Sequence, residues 1–194
     1  MKTIPILLMT TVAALAQEPQ AAKAADRTYA FRTVNGFYLT AENGGGSVVN
    51  TDRKELGPWE TFTLVQTAPG VFAFRTEDGH FLSDAVFNRR GAMVGRPNRG
   101  GNQPVPADMP QLTARGGLVA TQKTTDGTAQ FKIMIVNPEG PLVALVTSAG
   151  KYVTAENSGG MKARNSRAMA TDRGEIGEWE LFMMIDVEKA KAGK

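Results

Sequence analysis

Apolar and polar residues alternate in short runs broken by glycine, and the same run comes back three times. Residues 29–40 read YAFRTVNGFYLT, residues 72–83 read FAFRTEDGHFLS, and residues 143–154 read VALVTSAGKYVT. The period of two predicts strands rather than helices. Asn35-Gly36, Asp78-Gly79 and Ala149-Gly150 fall at the same place in each run. The first two pairs predict tight two-residue hairpin turns, in which both central positions take positive φ. The aligned aromatics Tyr38, Phe81 and Tyr152 are expected to point inward. Phe37, His80 and Lys151 lie one step earlier and are expected on the solvent face.

Two longer signatures recur as well. TAENGGG at 40–46 returns as TAENSGG at 154–160, and TDRKELGPWETF at 51–62 returns as TDRGEIGEWELF at 171–182. Closing strands are expected at 59–65, 130–136 and 179–185. Phe131 matches Phe62 and Phe182, but the second copy has no Trp. The spacing of the aligned glycines makes the second copy about 28 residues longer than the first. The excess is placed in 88–112, a surface loop rich in Gly, Pro and Arg. A smaller insertion falls near 165–170.

Three copies of one unit cannot each bury an apolar face alone, so they must pack together. About four short strands per unit give about twelve in all. The expected architecture is an all-β, β-trefoil fold of three repeats with pseudo-threefold symmetry and a long loop insertion in the second repeat. Barrel closure would remove exposed sheet edges. The repeats are placed at about 28–66, 70–136 and 140–186.

Composition narrows the picture further. Hydrophobic residues make up 42% of the 194 and charged residues 21%, which suits a folded rather than a disordered chain. The net charge of +3 is too mild to point to nucleic acid. Lys2 and the apolar residues 4–16 form a secretory leader pattern, too short to span a bilayer, with Ala14-Leu15-Ala16 as the cleavage site. Residues 1–16 are therefore expected to be a signal peptide and 17–26 a flexible lead-in. The folded domain is placed at 27–187, with a frayed basic tail at 188–194. The expected location is secreted or periplasmic. The chain has no Cys, so neither disulfides nor thiolate chemistry enter.

The pattern G-x-Y-[LV]-T-A-E-N-x-G-G, then D-R, then G-x-W-E-x-F resembles the fascin-like family of the actin-crosslinking superfamily. It is carried by 36–46, Asp52-Arg53 and 57–62, and again by 150–160, Asp172-Arg173 and 177–182. The resemblance spans roughly 27–187. It implies a β-trefoil fold. Family members include actin bundlers, and similar domains sit in secreted proteins, some beside carbohydrate-active enzymes. No actin-site motif is identifiable here, and fold alone does not assign function.

Candidate site residues each have a structural alternative. Glu42, Asn43, Glu156 and Asn157 could contact sugar hydroxyls or a cation; equally, Asn tolerates left-handed backbone and both side chain types fix turns. The second copy lacks the pair, reading Ser83-Asp84-Ala85-Val86. Trp59, Phe62, Trp179 and Phe182 could stack on sugars, but core anchoring is the simpler reading. Arg53 and Arg173 are expected to pair with Glu60 and Glu180 or with nearby backbone. Arg89, Arg90, Arg96 and Arg99 lie in a stretch without acids and could hold an anionic polymer or a partner protein. His80, the single histidine, has no local partners for a catalytic triad or a metal site. The reading is a non-catalytic binding module without cofactor or metal, taking carbohydrate or cell-envelope polysaccharide. The alternative is protein interaction through the arginine loop.

Overall fold

The computed structural model describes residues 27–87, 115–160 and 169–193. The described strands are β1 (Arg27–Thr33), β2 (Tyr38–Ala41), β3 (Ser47–Arg53), β4 (Phe62–Ala68), β5 (Val71–Arg75) and β6 (Phe81–Phe87). They continue as β7 (Arg115–Gln122), β8 (Phe131–Asn137), β9 (Leu142–Thr147), β10 (Tyr152–Ala155), β11 (Met169–Arg173) and β12 (Phe182–Asp186). A short helix, α1 (Val187–Ala192), follows, where the sequence suggested a frayed tail. The Asp186 carboxylate accepts the Lys189 N–H at 3.2 Å and so caps it.

The pairings correct the expected β-trefoil of three repeats about a threefold axis. All twelve described strands belong to one sheet, and ten of them close a barrel with two outer strands. The circuit runs β1–β4–β5–β8–β9–β10–β11–β7–β3–β2 and back to β1. β6 joins it through β5 and β7, and β12 through β1 and β9. The physical reason lies at the seams. β4 pairs with β5, β8 with β9, and β12 with β1, so the last strand of each repeat continues into the first strand of the next. Closure leaves no repeat with a free edge to separate it from its neighbour.

The hairpin turns also differ from expectation. Gly36, Gly79 and Gly150 take φ of 85°, 78° and 74°, but Asn35 and Asp78 do not have positive φ. Thr33 receives the Gly36 N–H on its carbonyl at 2.9 Å and donates its own N–H to the Phe37 carbonyl at 2.8 Å. The same pair of bonds recurs at 76–80 and 147–151. These are three-residue loops, an ordinary turn followed by one left-handed glycine, so a single positive φ suffices.

The core is a closed cluster of side chains from all three repeats. Phe31, Leu39, Phe62, Phe74, Leu82, Phe131, Leu145, Val153 and Phe182 are among its buried members from the aligned strands. Phe31 meets Phe74 edge-on at 5.1 Å, and Phe74 meets Phe131 at 5.6 Å. The aligned aromatics expected at the centre sit in side clusters instead. Tyr38 packs with Ala30 and Val187, and Phe81 with Ala73 and Ala129, while Tyr152 is half-buried. Because β2 is buried on both faces, strict alternation could not tell which of two neighbours reaches the barrel axis.

Candidate functional site

The repeated Glu-Asn and Trp-Glu motifs form two matching clusters. In the first, Glu42–Gly44 makes a tight 3-10 turn after β2, and Pro58–Glu60 makes another before β4. Asn43 stands at φ 59°, ψ 24°, and Asn157 in the second cluster at φ 55°, ψ 30°. Left-handed backbone explains the choice of Asn, whose short polar side chain tolerates it. Both asparagines are exposed.

The glutamates are held in place. Glu42 accepts a hydrogen bond from Asn50 Nδ2 at 2.6 Å and pairs with Arg53 at 3.3 Å. Arg53 also reaches Glu60 at 3.5 Å and lies over the Trp59 ring, 4.7 Å from its centre. The second cluster repeats this. Arg173 lies 3.6 Å from Glu156 and 3.7 Å from Glu180, with its guanidinium 4.9 Å from the Trp179 ring centre. The expected Arg–Glu pairings are therefore present in both copies. Glu60 and Glu180 are nearly fully buried, and each accepts the N–H of the glycine three residues before it, at 2.9 Å and 2.7 Å.

The tryptophans depart from the core-anchor expectation. Phe62 and Phe182 are fully buried, but Trp59 and Trp179 are half-buried beneath their arginines. The closing strands accordingly begin at the phenylalanines, and the Trp-Glu pairs belong to the turns before them. A face covered by guanidinium leaves less room for sugar stacking and favours edge and hydrogen-bond contacts.

The glycines after each asparagine explain their own repetition. A Cβ on Gly45, at φ 140°, would lie 2.6 Å from Thr76 Oγ1 and 2.9 Å from His80 Nδ1. A Cβ on Gly159, at φ 99°, would lie 2.9 Å from the Phe37 Cβ. The turn of one repeat thus seats the hairpin of the next. Backbone bonds fasten the seat: Asp78 N–H to the Gly44 carbonyl at 3.1 Å, and Gly160 N–H to the Thr51 carbonyl at 2.6 Å. Phe37 and His80, expected on the solvent face, are half-buried in these seats. His80 Nδ1 lies 3.0 Å from Asp78 Oδ2 and 3.3 Å from Lys123 Nζ.

The second repeat lacks the Glu-Asn pair in its sequence, and no matching cluster is present among its described residues. Asp84 stands where Ala41 and Ala155 stand in the other copies. It accepts a 2.5 Å hydrogen bond from the Thr171 hydroxyl. Burial pushes its carboxyl above the ordinary aspartate value, aided by Asp172 and opposed by bonds from Thr171 and the Ala85 backbone. A raised folded-state value means that the protonated form is favoured by folding. The resulting stabilisation is full below the unfolded-state value and is lost as pH rises through the folded one. Melting temperatures measured across that acid window are expected to fall with rising pH. Asp84→Asn should flatten that part of the profile and be at least as stable at neutral pH. An unchanged slope would remove Asp84 as its cause.

The arginines of the expected anionic site, Arg89, Arg90, Arg96 and Arg99, lie outside the described residues, as does the expected insertion at 88–112. Among the described residues, no group of three His, Cys, Asp or Glu side chains is placed to hold a metal, and no helix is long and apolar enough to cross a membrane.

No protein-family model matches the chain, and no curated protein matches its sequence. Solved structures do share its fold. ThreeFoil, a designed protein of threefold symmetry, aligns with a TM-score of 0.56 at 13% identity over 82% of this chain and 98% of its own. SeviL, solved with asialo-GM1 saccharide, aligns at 0.53 and 10% identity over 83% and 98%. The Rhizoctonia solani agglutinin aligns at 0.55 and 11% identity over 83% and 95%. These similar structures are β-trefoil proteins, lectins among them, and they fit the closed barrel described above. At such identities the likeness concerns the fold alone.

Proposed function

We propose that this protein is a secreted, non-catalytic binding module that takes carbohydrate or cell-envelope polysaccharide at its two Glu-Asn turns. The observation that carries the reading is the duplicated surface cluster: an exposed Asn on a left-handed turn, beside a carboxylate and an arginine-covered Trp. Rigid turns with fixed carboxylates pre-organise hydrogen-bonding groups for hydroxyls, which lowers the entropy cost of binding. Two such turns on one frame would raise the effective concentration of a polymeric ligand at the second site. The saccharide bound to SeviL is consistent with this use of the fold. Kinship with the fascin-like family is part of the same proposal, resting on the G-x-Y and W-E-x-F signatures.

The test is a glycan array with insoluble-polysaccharide pull-downs, comparing the native chain with Asn43→Gly/Asn157→Gly. Glycine keeps the left-handed backbone and removes only the side-chain amide. Binding that free sugar competes away is expected for the native chain, with a loss of at least about tenfold in the double variant and little change in melting temperature. Full binding by the folded double variant would sink the assignment of these turns.

A further inference from the structure

We infer that the mouth of the barrel at the start of β1 binds a small amphiphile, an acyl chain with an anionic head group. A cleft of about 800 Å3 opens there, lined by Tyr29, Phe72, Ile133, Ile135, Val143 and Met184, with Arg27 and Lys189 among its few charged groups. Its volume and its sparsely polar wall match sites that take small apolar ligands, and barrel mouths are a recurrent place for them.

The wall is unusually apolar for a water-facing surface. Ile135 is 67% exposed on it, and Ile133, Met184 and Ile185 beside it are only half-buried. Ile133 and Met184 pack their inner sides against the closed core, so the cleft is a continuation of the core that nothing among the described residues fills. Contiguous exposed apolar surface of this kind marks a binding surface.

Charge selects the head group. Arg27 and Lys189 are both exposed cations. The lone carboxylate of the lining, Asp186, is already engaged: it caps α1 and sits 4.0 Å from Lys189 Nζ. With Asp186 drawn to Lys189, the lining keeps a net charge of +1, with Arg27 as its second cation, which suits a carboxylate head on an apolar tail. The site is separate from the Glu-Asn turns. Arg27 and Tyr29 at one end of β1 line the mouth, whereas Thr33 at the other end packs against Gly159.

The experiment is calorimetric titration of the full chain with octanoate, nonanoate and decanoate below their micelle concentrations, and with 1-decanol. One molecule is expected to bind per chain, with affinity rising roughly fourfold per methylene. Arg27→Ala/Lys189→Ala should weaken decanoate about tenfold and leave 1-decanol unchanged. Ile135→Glu, at an exposed position, should abolish both while the melting temperature is kept. Absence of binding by the folded native chain overturns the proposal, as does binding indifferent to chain length or to Ile135→Glu. Two further results would also overturn it. One is self-association, seen by sedimentation and abolished by Ile135→Glu, with no decanoate bound. The other is crosslinking of residues before Arg27 into the cleft, again without decanoate.

Discussion

Phe74→Ala is expected to destabilise the protein by about 4 kcal/mol, the typical cost of deleting a fully buried ring that its surroundings cannot refill. Phe74 has no exposed surface and stands between Phe31 and Phe131, at 5.1 Å and 5.6 Å. These three rings come from the first and second repeats, so the cavity would loosen the contact that holds the repeats together. The loss is a large share of the roughly 5–15 kcal/mol that keeps a domain folded. Urea unfolding followed by Trp59 and Trp179 fluorescence measures it. Phe74→Leu, which keeps most of the volume, should cost about 1.5 kcal/mol. A cost below about 1 kcal/mol for the alanine variant would mean that the barrel collapses onto the gap, against the packing rigidity usual in protein interiors.

Glu180→Ala is the second large effect, at about 3 kcal/mol. Glu180 is nearly fully buried, and its carboxylate accepts the Thr154 hydroxyl at 2.8 Å and the Gly177 N–H at 2.7 Å, with Arg173 beside it at 3.7 Å. Removing it leaves a fully buried hydroxyl and a turn N–H without their acceptor. Arg173 is 44% exposed, so water takes over much of its share. Glu60→Ala should cost less. Glu60 accepts Gly57 N–H at 2.9 Å and meets Arg53 at 3.5 Å, but the Thr40 hydroxyl turns to the Tyr38 carbonyl instead. Glu180→Gln retains an oxygen acceptor and should recover about half the loss. The order Glu180→Ala, then Glu60→Ala, then Glu180→Gln, read from midpoints at constant m-value, checks the account. Equal costs for the two alanine variants would show that the threonine bond adds nothing.

Much of the candidate site is legible in the sequence. The recurrence of Asp-Arg and of Trp-Glu at matched spacing announces that Arg53 and Arg173 find Glu60 and Glu180. Asn before paired glycines announces a left-handed turn. What spacing cannot convey is direction. The Trp of each Trp-Glu pair reads as a core anchor. The structure instead buries Glu60 and Glu180 and leaves Trp59 and Trp179 half-covered by arginine. The signal of the inversion is Gly57 and Gly177, three residues before each glutamate, since a carboxylate reaching back to a turn N–H is a capping pattern.

Repetition and alternation by themselves determined that the chain is all-β, that its repeats share one core, and where its hairpins turn, because strand period and turn chemistry are local properties. The tertiary structure alone decided how the repeats join. Pairing of β4 with β5, β8 with β9 and β12 with β1 closes one barrel, a long-range choice that no single repeat encodes. It also decided that Leu39, Leu82 and Val153 rather than their aromatic neighbours reach the central core, since both faces of a barrel-wall strand can be buried. The apolar mouth exists only once β1, β5, β8, β9 and β12 are brought side by side, so no segment read alone contains it.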